Sequence, residues 1–190
     1  MKYASFEEIR TSRLLLRKIN HADTECYYRR ISGSADVAKY MLWQAHASQQ
    51  EAYAAIEKVI ARFENGSCYS WGIALAEDNS IIGRIDLLRF DETAASCSFA
   101  YMLGTDYWGQ GYGTEALTAV FDFAFRKMQV KCISADHMRE NVASGKAMQK
   151  AGMHYVKTIP AKYEKCGKVY DADEYTITSD EWLHGTKTTR

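Results

Sequence analysis

Two short stretches carry residue types that could do chemistry together. One is Trp108-Gly-Gln-Gly-Tyr-Gly-Thr114, with glycines at 109, 111 and 113. The other is Asn141-Val-Ala-Ser144, an amide and a hydroxyl three residues apart. Glycines let the backbone turn tightly and let a ligand approach main-chain N–H groups. Where a helix follows such a loop, its first N–H groups lack partners and carry the positive end of the dipole. A phosphate or pyrophosphate fits there without any basic side chain. A helix running from Asn141 to Gly152 would put Asn141 and Ser144 on one face. The plainer alternatives are a glycine turn that holds nothing, and an Asn141 that only caps its helix while Ser144 bonds local backbone.

The elements that must position these residues follow from hydrophobic spacing. Ala94–Leu103 reads as a strand entering the glycine loop, and Thr114–Met128 as an amphipathic helix leaving it, with Ala116, Leu117, Val120, Phe121, Ala124 and Phe125 on one stripe. Upstream, Arg13–Arg17 reads as a buried strand, and Asp23 as the cap of a short helix to about Ser32. The segment Val37–Ala47 fits either a loop or a helical turn. Ser48 to Glu51 matches a capping box for a helix that Asn65-Gly66 ends. Tyr69–Leu75 and Ile81–Phe90 read as a hairpin turning at Glu77–Ser80. Lys131–Asp136 is a short strand, and Met153–Lys162 with Lys168–Thr178 a last hairpin. From Glu181 on, the tail reads as short and polar, with Tyr175 and Trp182 as packing residues. The order predicts a mixed α/β fold around one sheet.

The bulk composition narrows the partners. The chain of 190 residues suits one domain, 1–190, with one sizeable core. Lys plus Arg equal Asp plus Glu, so a broad footprint for nucleic acid or an anionic membrane is not expected. Cysteines at 26, 68, 97, 132 and 166 are odd in number and include no C-x-x-C. Reduced thiols in a cytoplasmic protein are the simple reading. The N-terminus lacks the apolar core of a leader, no apolar run is long enough to cross a bilayer, and no histidine spacing suggests a metal.

Y-W-G-Q-G-Y-G-T-E-A, followed by a helix, a strand and R-E-N-V-A-S-G-K-A-M-Q-K-A-G-M, resembles the GNAT acetyltransferases. It is most like the subgroup that acetylates ribosomal-protein N-termini, whose own variant places Trp ahead of the loop. The resemblance covers nearly the whole chain. It implies a GNAT-like acyl-CoA N-acyltransferase fold, with one central, mostly antiparallel, splayed sheet flanked by helices. It also implies acetyl-CoA as donor, no metal, and a primary amine as acceptor, a protein N-terminus first among them. A monomer or a homodimer is expected. Cofactor contacts are implied for Tyr101, Met102, Leu103, Trp108, Gly109, Gln110, Gly111, Tyr112, Gly113, Thr114, Asn141, Ser144 and Lys146. A backbone N–H near Met102 would face the developing oxyanion, and Ser144 would protonate the leaving thiolate, with Asn141 beside it.

The base is the weak point. Relatives often carry Glu in the strand before the loop, where this chain has Ser98. Asp86 could act through water, and a solvated strand carboxylate is an equal reading. His137 reads as a surface histidine and Cys97 as a small buried residue. Two rival functions stand beside acetyl transfer. A nicotinamide oxidoreductase would use the loop and Asp136, though Thr114 occupies the place of its third glycine. A non-catalytic CoA-binding module of the same fold would explain Ser98. A polyamine or other small amine is the alternative acceptor.

Overall fold

The computed structural model describes residues 4–185. The first three residues of the N-terminal stretch, and the tail beyond Gly185, lie outside the described residues. The strands are β1 (Ile9–Arg10), β2 (Leu14–Arg17), β3 (Cys68–Leu75), β4 (Ile81–Asp91), β5 (Ser96–Leu103), β6 (Cys132–Met138), β7 (His154–Lys165) and β8 (Lys168–Thr178). They form one sheet in the order β1-β2-β3-β4-β5-β6-β8-β7, parallel at β5–β6 and antiparallel at the other pairs. The helices are α1 (Thr24–Tyr27), α2 (Ala35–Ala38), α3 (Gln49–Glu64), α4 (Tyr112–Arg126), α5 (Val142–Lys150) and α6 (Ser179–Gly185).

The sheet separates two apolar clusters. α4 lays Ala116, Leu117, Val120, Phe121 and Ala124 on one face, all fully buried against strand residues such as Trp71, Ile85 and Ile133. α1 and α3 cover the other face through Tyr27, Ala52, Ile56 and Val59, packed with Ala74 and Met102. Each large side chain removed from water contributes about 1.5–3 kcal/mol. β3 alternates large apolar residues with small ones, and every residue of it is buried because helices cover both of its faces.

Local chemistry departs from expectation at three points, and one open segment is settled. Asp23 does not cap α1; Asn20 caps the preceding turn through its side chain. Asp23 instead takes the Arg17 guanidinium at 2.7 and 2.9 Å and accepts from the Asn20 N–H. Glu51 reaches back to the N–H of Ala47 rather than that of Ser48. Beyond α2, residues 39–47 turn without further helix. The tail is helical over Ser179–Gly185, started by Thr178 against Glu181, and it buries Trp182 among Phe121 and Phe125.

One break in the sheet positions the site. β5 and β6 pair at Ser96↔Cys132, Cys97↔Ile133 and Ser98↔Ser134 only. β5 then runs on to Leu103 and β6 to Met138 with no further mutual pair. Each stays paired on its far edge, to β4 and β8. The sheet therefore opens into a wedge beyond Ser98 and Ser134.

The buried Arg17–Asp23 pair ties β2 to the turn that starts the α1 face, with side chains only 10% and 9% exposed. The hydrogen bond to Asp23 leads the effects that raise the Arg17 pKa. Asp23→Ala leaves that guanidinium buried and unpaired, and the expected cost is about 3–5 kcal/mol. Urea unfolding of the variant against the parent chain checks this.

Candidate functional site

A cavity of about 460 Å³ occupies the wedge. Its lining draws on residues from both sides of the sheet. Gly109, Gly111, Gly113 and Thr114 of the loop and α4, together with Asn141, Ser144 and Lys146 of α5, line one end. Val37, Tyr40 and Met41, from the segment left open between loop and helix, line the other end. Tyr101, Met102 and Leu103 form its wall between them.

The loop is built from backbone requirements. Gly109 and Gly111 have φ of 72° and 83°, which favour glycine. Gly111 is the N-cap of α4 and carries no side-chain cap, so the first N–H groups of α4 face outward unsatisfied by a cap. Gly113 serves packing instead: a Cβ there would lie 3.3 Å from the Tyr101 ring and 3.4 Å from Leu103. The indole of Trp108 donates to the Leu103 carbonyl at 2.9 Å, closing the loop onto the end of β5.

A network invisible as a motif holds the loop down. Glu115, in the first turn of α4, accepts from Thr11, Ser12 and the Arg13 N–H, and pairs with the Arg13 guanidinium at 2.7 Å. Arg13 also donates to the Gln110 carbonyl. Burial pushes the Glu115 carboxyl up, but these hydrogen bonds outweigh it and hold it below its ordinary value. Tyr112 lies under the Arg13 guanidinium, 4.2 Å from ring to carbon. Gln110 donates to the Asp106 carbonyl. Neither the Gln110 nor the Tyr112 side chain lines the cavity, although both were expected at the cofactor.

Ladder alternation decides which backbone groups meet the cavity. The Gly104 N–H donates to Ile82, and the register continues through Met102↔Arg84. Alternate residues of an antiparallel strand direct their groups to the same side. The groups of Met102 therefore face β4, and those of Tyr101 and Leu103 face the wedge. The main-chain N–H groups near Met102 that are open to the wedge are thus those of its two neighbours.

On α5, the Asn141 side chain accepts from the Ser144 N–H at 3.3 Å, so it caps the helix and lines the cavity at once. Ser144 is buried. Burial raises the pKa of the Tyr101 phenol, and a side-chain hydrogen bond with Ser144 opposes that shift. The resemblance implies only a backbone role for Tyr101; the fold adds its hydroxyl to the Ser144 side chain. Lys150, one turn beyond Lys146, also lines the cavity, as does Glu140.

Two residues outside the cavity, Asp86 and His137, differ from expectation. Asp86 is buried, accepts from Ser70 at 2.5 Å and pairs with Arg84 at 3.1 Å; it is not solvated. His137 is buried rather than on the surface, stacked on Tyr175, with Nδ1 at the Met138 carbonyl and Nε2 against Gly145. Ser98 donates to the Leu88 carbonyl. Cys97 is the small buried residue its context predicts, and burial pushes its thiol up to about 12.

The chain is similar to proteins of one kind. A model of the acetyltransferase (GNAT) domain matches residues 13–154. YoaA of Bacillus subtilis (strain 168), an uncharacterized N-acetyltransferase, is 23% identical over 90% of this chain and 97% of its own. The structure of a proposed ribosomal-protein-serine acetyltransferase from Vibrio cholerae superimposes with a TM-score of 0.81 at 26% identity, covering 90% of this chain and 97% of that one. Spermidine N-acetyltransferase from Vibrio cholerae, solved with CoA and spermine, shares the fold at 16% identity, with a TM-score of 0.78 over 92% of this chain and 100% of that one. The mixed sheet opened at β5–β6, the glycine loop at its mouth and the match over residues 13–154 place the chain in the GNAT family, as an acetyl-CoA-dependent N-acetyltransferase.

Proposed function

We propose that residues 1–190 form one catalytic domain that moves an acetyl group from acetyl-CoA to the α-amine of a peptide or protein N-terminus. The observation that carries this reading is the cavity that runs through the wedge, with phosphate-type groups at one end and an apolar mouth at the other. The N-terminal residues of two helices, α4 and α5, line the cavity together with Lys146, and Lys150 lines it from the last turn of α5. That combination suits a pyrophosphate. Backbone groups of Tyr101 and Leu103 then lie along the thioester arm. The acceptor enters past Val37, Tyr40 and Met41. The 26% identical Vibrio cholerae neighbour, proposed to act on a ribosomal-protein serine terminus, supports a protein N-terminus as acceptor.

Each step has a group to serve it. The neutral amine attacks the thioester carbonyl, the C–N bond forms, and an N–H of β5 receives the oxyanion charge. The C–S bond breaks, Ser144 gives the thiolate its proton with Tyr101 behind it, and the proton that the amide nitrogen releases to water is returned through water to that pair. No residue at the wall is placed as a strong base: Ser98 and Asp86 are both engaged elsewhere. An acceptor that is partly neutral on its own is therefore favoured.

Gly109→Asp tests the donor end. A Cβ at Gly109 meets nothing within 4 Å, so the cost to the fold is that of the left-handed backbone, about 1–2 kcal/mol, while a carboxylate enters the anion site. Calorimetry is expected to show a large loss of acetyl-CoA affinity, and unchanged affinity would place the cofactor elsewhere. Ser144→Ala tests the chemistry. A fall in kcat of about 100-fold with acetyl-CoA affinity kept is expected for a lost general acid; a variant with full kcat would reduce Ser144 to a helix residue.

Acceptor choice follows from amine pKa values. Lysine ε-amines titrate at ~10.4 and α-amines at ~8, so at neutral pH the α-amine is uncharged roughly 200 times more often. The expected outcome is a higher kcat/KM for a free-terminus peptide than for a blocked lysine peptide, rising with pH toward the substrate's own pKa. The pH–rate profiles of both peptides, with spermidine as a third arm, decide between α-amine, lysine and polyamine acceptors.

A further inference from the structure

The β7–β8 hairpin carries an irregularity that aims two side chains at one carboxylate. Between Ile159↔Ala172 and Tyr163↔Tyr170, β7 advances four residues while β8 advances two. Pro160, the single proline of the chain, sits in this bulge. Ala161 follows with φ of 51°, a costly conformation for alanine, and its N–H is tied to Asp171 at 2.9 Å. A bulge turns residues that would alternate toward a common side. Here it brings Lys162 and Tyr163, neighbours in sequence, onto the same group. The Lys162 ammonium lies 2.5 Å from one oxygen of Asp136, and the Tyr163 hydroxyl donates to the other.

Asp136 is not among the residues that line the cavity, but it lies on the strand that bounds the wedge. It lies on β6 just past Ser134, the last residue of that strand to pair with β5. It alternates with Ala135 and His137, which face the α4–α5 side. Asp136 therefore faces the side of Met102, a wall residue of the cavity. The same hairpin reaches the acceptor end: Lys165 donates to the Ala38 and Trp43 carbonyls, within the segment that supplies Tyr40 and Met41 to the cavity. Other charges on this face are already matched, Asp86 by Arg84 and the cross-strand neighbour Glu174 by Lys157.

The geometry points to Asp136 as the carboxylate that recognises the acceptor's ammonium group on arrival, before the amine gives its proton to water and attacks, with Lys162 holding that place until an acceptor displaces it. This rests on the acetyl-transfer reading above and adds a specificity-determining residue to it. The Asp136 side chain is 11% exposed and that of Lys162 26%, so the carboxylate is sheltered and its cation is the more accessible partner. An alkylammonium is the chemical class of that cation. A substrate amine can take the same position with the same contacts, and Tyr163 keeps the second oxygen satisfied during the exchange.

Asp136→Asn and Lys162→Met separate recognition from scaffolding. Thiol release is followed with acetyl-CoA and the fastest amine among a free-terminus peptide, a blocked lysine peptide and spermidine. Asp136→Asn is expected to raise the amine KM about tenfold or more, the scale of a lost charged hydrogen bond. Its KM for acetyl-CoA should hold within about twofold, because only amine binding is removed. Lys162→Met is expected to lower the amine KM, since it removes the internal competitor. A salt bridge that only braces the hairpin would give lower activity and lower melting temperature in both variants, and a Lys162→Met protein with unchanged or raised amine KM overturns the inference. If none of the three amines turns over, calorimetric titration with spermidine reads the same site: tighter binding to Lys162→Met than to Asp136→Asn supports it, and equal binding overturns it. Calorimetry with acetyl-CoA alone is run in parallel. Failure there strikes the acetyl-transfer reading, whereas an intact acetyl-CoA response with unaffected amine binding strikes Asp136 only.

Discussion

The structure depends on a pairing that stops. Three residue pairs join β5 to β6, and beyond Ser98 and Ser134 the two strands separate although each remains fully engaged on its other edge. Buried main-chain groups left without partners cost about 1–3 kcal/mol each, so an open wedge needs a reason and a remedy. Trp108 supplies part of the remedy by donating to the Leu103 carbonyl. The remaining groups along Tyr101 and Leu103 face a cavity large enough for an extended chain with amides of its own. The glycine loop, α4 and α5 are all placed relative to this opening. Gly113 allows α4 to approach Tyr101 and Leu103 closely, and Gly145 allows α5 to approach His137 with no room for a Cβ.

Much of this was legible from local signals. Hydrophobic period gave the strands and helices within a few residues, and the bounds of β8 match the strand expected over Lys168–Thr178. Gly111 and Asn141 act at the helix starts where their residue types suggest. The misses have one physical character. Asp23, Glu51, Asp86 and His137 are polar residues whose partners lie elsewhere in the chain or one position away from the template. Asp23 is read as a cap because Asp caps helices, but a buried guanidinium competes for the same carboxylate and wins through two hydrogen bonds. Asp86 is read as solvated because strands often present carboxylates to water, while Ser70 and Arg84 meet it only once β3 and β4 are in register.

The site was legible in the same uneven way. The Asn141–Ser144 spacing and the glycine loop are contiguous, so their grouping could be read directly. Arg13 and Glu115 are about a hundred positions apart, and nothing in either neighbourhood announces the pair that holds the loop. Gln110 and Tyr112 were grouped with the loop because they lie inside its motif. Their side chains instead brace it, through Asp106 and Arg13. Membership of a motif fixes a residue's backbone more firmly than it fixes where its side chain goes.

Charge shows why the sheet is opened rather than merely covered. The net charge is zero, and the composition alone excludes a broad electrostatic field. The fold sorts that balance across the wedge. One end gathers the N-terminal residues of α4 and α5 with Lys146, and Lys150 from the last turn of α5; the other sheet face carries Asp86, Asp136 and Glu174, each held by a cation of the chain. A donor rich in phosphate and an acceptor that arrives as an ammonium ion carry opposite charges. If both approached from the same side they would attract each other before either was oriented. On the reading proposed above, the donor and the acceptor reach the wedge from opposite faces, and the carboxylates of the acceptor face meet an ammonium only by exchange with the cations that hold them. A continuous sheet would separate the two fields but block the reaction. Ending the β5–β6 ladder after its third pair preserves the separation and leaves one place where the reactants touch.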